Sequence, residues 1–300
     1  MRKDCPKISL RKLCGLFGKT RHAYYDSNWR VEEQSIEDTI VLDLVTKMRK
    51  QMPKLGTPKL YYLLKEPLEK HGIKMGRDKL HELLSAFGML VRRKRKYAYT
   101  TNSHHWLKKY SNLIRDLVVR HPEQLWVSDI TYISLKDGFN YLSLITDAYS
   151  RKIIGYCLSQ RLDHYGCLSA LNMALAEREN NCRRLIHHSD RGIQYCSKAY
   201  VDLLQSNEIL ISMTENGDPY ENAIAERING ILKTEFDLDR TFGNSGEANK
   251  AVEEAIRTYN NQRPHASCDY LTPEEAHGKN GILRKRWKTY RRNYSDSVPP

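Results

Sequence analysis

A chain of 300 residues, 40% apolar and carrying a net charge of +13, has room for about two domains. It contains no run of about 18 apolar residues, which excludes a conventional membrane-spanning helix, and its basic start lacks the apolar block and cleavage site of a signal peptide. Seven cysteines without a CxxC pair fit a reducing cytoplasm and argue against a disulfide framework or zinc ribbon. The charge is unevenly spread. Residues 1–120 hold 27 Lys and Arg against 12 Asp and Glu (+15), residues 121–280 hold 16 against 23 (−7), and residues 281–300 hold 6 against 1 (+5). Basic flanks suit a polyphosphate partner, because neutralised phosphates release counterions. An acidic middle suits carboxylates gathered around metal ions.

In chain order, residues 8–25 read as two short helices, with Leu10, Leu13, Leu16 and Phe17 at helical spacing and Gly18 at the turn. This is a helix-turn-helix pattern, whose second helix can enter a major groove. A separate amphipathic helix is expected over 32–51. A second helical pair follows at 57–66 and 76–90, the first with Thr57 as cap and Pro58 in the first turn. Arg92, Arg93, Lys94, Arg95 and Lys96 are consecutive cations, followed by Tyr97, Tyr99 and Trp106. Interleaved cations and aromatics suit contact with a nucleic-acid backbone and base stacking. From residue 125 the period changes to that of strands: 125–133, 139–150 and 151–159, joined by short turns as an antiparallel meander. A helix over 163–179, a strand ending near Asp190, a helix over 197–207, a strand over 209–214 and helices over 219–237 and 247–261 complete the order βββαβαβα. That order predicts an α/β fold, a ribonuclease-H-like mixed five-stranded sheet with flanking helices, preceded by the helix-turn-helix region. The expected division is 1–54, a helix-turn-helix and helix; 55–96, a second helical DNA-binding unit; 97–120, a basic and aromatic linker; 121–280, the catalytic core; and 281–300, a basic tail.

Three carboxylates stand out. Asp129 lies mid-strand in WVSDITY, on one face with Val127 and Thr131, and Asp190 ends the fourth strand in HHSDRG. In this fold the first and fourth strands are neighbours. Two buried aspartates side by side repel and raise each other's pKa unless a cation lies between them. Oxygen-only ligands suit Mg²⁺ or Mn²⁺, and two such ions can drive phosphodiester exchange. Glu226 falls on the helix expected to start with Asp218 as cap, Pro219 in the first turn and Glu221 completing a capping box. Lys233 shares its face two turns on.

Asp129, Asp190 and Glu226, with 35 residues between the last two, resemble the DDE triad of retroviral-integrase-type enzymes. HSDRGIQY, NGDPYENAIAERINGILKTE and YNNQRPHASCDYLTPEEA resemble the second-reading-frame (OrfB-type) transposases of bacterial insertion sequences. The resemblance covers about residues 8–278. It implies metal-dependent DNA cleavage and strand transfer at element ends, with Asp129, Asp190 and Glu226 as catalytic ligands of two Mg²⁺ or Mn²⁺ ions. It places Asn222, Asn229 and Lys233 toward the DNA end near the scissile phosphate, and His188, Arg191 and Gly192 in the loop around Asp190. Gly192 is expected to serve backbone turning and His188 packing or hydrogen bonding. Asp147 is expected to cap the turn before Ser150 and Arg151. The zinc site of the retroviral relatives has no counterpart in the spacing here, so no zinc is expected. The implied partners are double-stranded DNA, both element ends and target, further copies of this chain, and an upstream-frame protein or fusion, in a bacterial cytoplasm. Two other readings stay open: a non-catalytic repressor acting through residues 1–110, and a plain metal-dependent nuclease of the same fold.

Overall fold

The computed structural model describes residues 9–91, 106–178, 184–215 and 222–286. These divide into two compact units, one of residues 9–50 and 56–91, the other of residues 51–55 and 106 onward. The cationic run Arg92, Arg93, Lys94, Arg95 and Lys96 lies outside the described residues.

The first unit is helical. α1 (Leu10–Leu16) is capped by Ser9, whose hydroxyl accepts from Lys12 N, and Gly18 ends it with φ +63°. α2 (Arg21–Gln51) is one helix of 31 residues, not the two expected over 19–25 and 32–51. No glycine or proline interrupts residues 21–51, and Thr20 caps its start by accepting from Ala23 N, so nothing forces a break. α3 (Thr57–Lys70) and α4 (Arg77–Ala86) pack through Leu60, Leu64, Leu80 and Leu84, all fully buried. The cap of α3 is Gly56; Thr57, expected in that role, instead lies 3.4 Å from His81 Nδ1. α4 stops short of residue 90 because Gly88, at φ +64°, reverses the chain, with Met89 N donating to Leu84 O.

The second unit carries the sheet. Its strands are β1 (Leu125–Leu135), β2 (Gly138–Asp147), β3 (Ile153–Ser159), β4 (Ile186–Ser189) and β5 (Leu210–Met213), in spatial order β3-β2-β1-β4-β5. The pairs β1–β2 and β2–β3 are antiparallel, and β1–β4 and β4–β5 are parallel. This is the mixed α/β arrangement the pattern predicts. α5 (His164–Glu177) and α6 (Lys198–Ser206) cover one face, packing Ala170, Leu171, Tyr200 and Leu204 around Trp126 and Ile145. Alternation along β1 turns Leu125 and Val127 to the other face, where Ala225 of α7 (Ala223–Glu235) meets them. A Cβ on Gly155 of β3 would sit 2.1 Å from Ala170 O, so only glycine lets α5 lie this close.

The chain after α7 clasps the β2–β3 turn through α8 (Ser245–Gln262) and α9 (Pro273–His277). β2 ends at Asp147 because Asp147 caps that turn, accepting from the backbone N of Tyr149 and Ser150 and from Glu123 N. Asn260 bonds both backbone groups of Ile153, Tyr259 OH donates to Arg151 O, and Lys152 pairs with Glu274. Much of the motif YNNQRPHASCDYLTPEEA is therefore occupied in holding this corner.

Candidate active site

Backbone register brings the first two carboxylates together. Leu125, Trp126 and Val127 pair with Ile186, His187 and His188. The same offset carried two residues on sets Asp129 opposite Asp190, immediately after β4 ends. Asp129 accepts hydrogen bonds from Asn229 Nδ2 (2.7 Å) and Ile130 N (2.9 Å). Burial pushes its carboxyl up to about 7; the charge of Asp190 adds to this, the Asn229 bond opposes it, and Glu226 raises it least. Asp190 accepts from Gly192 N at 3.0 Å. Gly192 does not adopt a positive φ, so the backbone turning expected of it does not call for glycine; a Cβ there would instead crowd that same carboxylate oxygen at 3.0 Å.

Glu226 stands in the first turn of α7 and is exposed, where the helix dipole favours a negative charge. Among the described residues no three His, Cys, Asp or Glu side chains converge as a metal-holding group. The aspartate pair is thus assembled, with Glu226 at a greater remove. Oxygen-only donors, one of them held against its preferred charge state by burial and, to a smaller extent, by a neighbouring carboxylate, are the chemistry that suits a hard divalent cation.

α7 begins at Ala223, four residues after the expected start, with Asn222 at the cap position and making no side-chain cap bond. The expected capping box of Asp218, Pro219 and Glu221 falls outside the described residues. Asn222 and Asn229, placed toward DNA by resemblance, are buried here, each 6% exposed. Asn222 Nδ2 donates to Ser128 O (3.1 Å) and Asn229 Nδ2 to Asp129. Both amides therefore tie α7 to β1, and their Oδ1 atoms are buried without a hydrogen-bond partner among the described residues. Lys233 lies half-buried in the last turn of the same helix. That end is pinned: Arg263, 1% exposed, grips Glu235 through Nε (2.8 Å) and Nη2 (3.0 Å), and Lys54 N donates to Glu235 O.

Behind β1 a polar cluster joins three elements. His187 Nε2 lies 2.7 Å from Ser128 Oγ and 2.9 Å from Tyr200 OH. Burial, with a smaller push from His188, lowers the His187 pKa to about 3, so its ring is neutral. His188 Nδ1 meets Ser212 Oγ at 2.8 Å, the hydrogen-bonding role expected of it.

One integrase core domain model matches residues 119–219 and a second matches residues 207–273. A 31 kDa protein of insertion element IS600 from Shigella sonnei is 34% identical over 265 residues, spanning 87% of this chain and 96% of its own length. The transposase for insertion sequence element IS629 from the same species is 33% identical over 70% of each chain. The chain belongs to the insertion-sequence transposases with an integrase core. Transposase InsF for IS3A of Escherichia coli (strain K12) is 29% identical over 93% of this transposase and 97% of its own length. The magnesium complex of the HTLV-2 integrase catalytic core domain covers 52% of the transposase at 20% identity, with a TM-score of 0.42, too low to add weight. Three partners of the site went unread in the sequence: Ser128, His187 and Arg263. The histidine pair at the end of an apolar run was visible; which hydroxyls would meet it was not.

Proposed function

We propose that this transposase cuts DNA at the ends of its insertion sequence and joins the freed 3′ ends to a target, using divalent metal held by Asp129, Asp190 and Glu226. The observation that carries the reading is the register that sets Asp129 against Asp190, both half-buried. Bound there, a pair of Mg²⁺ or Mn²⁺ ions supplies activation of the attacking oxygen and charge neutralisation at the leaving one. The chain's own groups do the positioning. Asn229 fixes the Asp129 carboxylate, and Gly192 N fixes that of Asp190. The orphaned Asn229 Oδ1 leaves a buried acceptor beside the pair, as expected where a bound group completes the site. Glu226, in the first turn of α7, would complete the set of carboxylates that hold the metal. Lys233 binds a phosphate beside the reacting one as a point charge. Arg92 to Lys96 and the first helical unit hold flanking duplex. The active form contains several copies on DNA, with an upstream-frame protein or fusion as a further partner, in the bacterial cytoplasm. No helix among the described residues is long and apolar enough to cross a membrane.

The test is to incubate the full-length protein with Mg²⁺ and labelled duplexes bearing candidate element ends. Joined products are expected; nicked products without joining, at every end tried, would reduce the activity to that of a nuclease.

A further inference from the structure

Residues 106–113 meet the sheet as a strap along the outer edge of β5. Met213 N donates to Ser111 O (3.4 Å) and Leu113 N to Ser212 Oγ (2.9 Å). Asn112 N also donates to Glu215 Oε1 (2.9 Å), so all three bonds fall at the C-terminal end of β5 and just past it. Ser111 thus meets Met213, the last residue of β5. Because β4 and β5 are parallel and paired through Ser189 and Met213, that same end of the sheet carries Asp190. With strands about 4.8 Å apart, the strap passes about 10 Å from the end of β4.

The strap is anchored but its outer groups are uncommitted to the core. Leu107 and Tyr110 pack on the cluster that contains Tyr195, Cys196 and Met213. Trp106 is 92% exposed, and Lys108 and Lys109 are exposed, with Lys108 Nζ 5.2 Å over the Tyr110 ring. Burial raises the Cys196 thiol pKa and Asp190 adds to it, while Lys109 of the strap and Arg191 of the loop oppose the shift. Cations and a bare indole collect here at the edge of a region, 121–280, that is otherwise acidic by −7.

The geometry points to this strap as a DNA-docking strip, in which Trp106 stacks on a base or sugar while Lys108 and Lys109 hold phosphates flanking the one at Asp190. The inference rests on the reading of the carboxylate pair as a DNA-processing centre. It names which groups outside that centre bring the backbone to it. Charge complementarity commits the occupant to DNA; a protein partner would want the indole without the paired lysines.

The experiment is binding of a labelled duplex end by the full-length protein, without metal, across a range of salt. Replacing both lysines (Lys108→Ala with Lys109→Ala) should lower the slope of log affinity against log salt by roughly 2, since each phosphate contact contributes about 0.9. The double arginine variant should keep the wild-type slope. Trp106→Ala should weaken binding about tenfold, with Trp106→Phe retaining most of it. An unchanged slope together with wild-type affinity for Trp106→Ala, in proteins that melt like the wild type, overturns the strip. Because binding is read without metal, a wild-type chain that fails to cleave counts against the proposed activity alone. An active chain with an unchanged slope counts against the strip alone.

Discussion

Asp129 lies on a strand and Asp190 directly after one, Glu226 on a helix, and the two kinds of support differ in what they fix. β1 and β4 set the aspartates through backbone pairing one offset long, backed by Asn229, Gly192 N and the Ser128–His187–Tyr200 cluster. Glu226 is exposed in the first turn of α7, a helix whose far end is clamped by Arg263 and whose near end touches β1 through Asn222. The contrast teaches where this site spends its rigidity. The aspartates are set together with one carboxyl held far above its usual pKa, while Glu226 stands exposed on a helix that Asn222 and Asn229 tie to β1 and Arg263 clamps at its far end.

The largest expected effect comes from removing charge while keeping shape. Asp129→Asn, Asp190→Asn and Glu226→Gln should each lower joining at least about a thousandfold while leaving metal-free DNA binding near wild type. Activity surviving in one of them would take that residue out of the shared site. Next comes the clamp. Arg263→Ala strands Glu235 without its buried partner and should cost about 3–5 kcal/mol of stability by chemical denaturation. A loss under about 1 kcal/mol would mean that the far end of α7 is held by other contacts.

The aspartate side can be sharpened by pH. The folded pKa of Asp129 is raised to about 7 from 3.8, so the fold binds a proton that the unfolded chain releases. This contribution is complete below about pH 4 and is lost as pH rises toward 7. In metal-free protein, Asp129→Asn should therefore stabilise at pH 8, by ~4 kcal/mol at most given about 1.4 kcal/mol per pKa unit, and change little near pH 4. A benefit independent of pH would contradict the buried, proton-hungry carboxyl. His187 works in the opposite sense. Its folded pKa is lowered to about 3, so its contribution is present above about 6.5 and lost as pH falls toward 3.

Smaller effects separate positioning from contact. Asn229→Ala removes the bond that keeps Asp129 ionisable, and should weaken metal affinity about 10–100-fold while shifting the pH–rate profile upward. A uniform loss with an unmoved profile would point instead to DNA contact. Lys233→Ala should weaken end binding and joining together, with Lys233→Arg keeping part of both. If alanine only lowers the melting temperature slightly, Lys233 is a helix-surface pair worth a few tenths of a kcal/mol.

The sheet was legible because short turns and alternating apolar residues dictate a meander, and the crossover helices dictate the parallel pairs. The aspartates were legible because a charge in a buried strand needs a reason. The amides were not. Position along α7 placed Asn222 and Asn229 near the site, but only the packing of α7 on β1 shows them turned inward. The unbroken α2 was missed because a basic, hydroxyl-rich start at 19–25 reads as a separate helix, although no residue after it stops the turn. The capping box of α9, Thr272 with Glu275, lay in plain view in TPEE, inside a motif whose clasping role needs the β2–β3 turn to be seen.

Thermal melting with and without Mn²⁺ tests the shared metal site most directly. Wild-type protein should gain melting temperature as Mn²⁺ is added at pH 7.5, and Asp129→Asn, Asp190→Asn and Glu226→Gln should each lose most of that gain. A wild-type protein indifferent to Mn²⁺, or a gain that survives in the aspartate variants, would contradict the account.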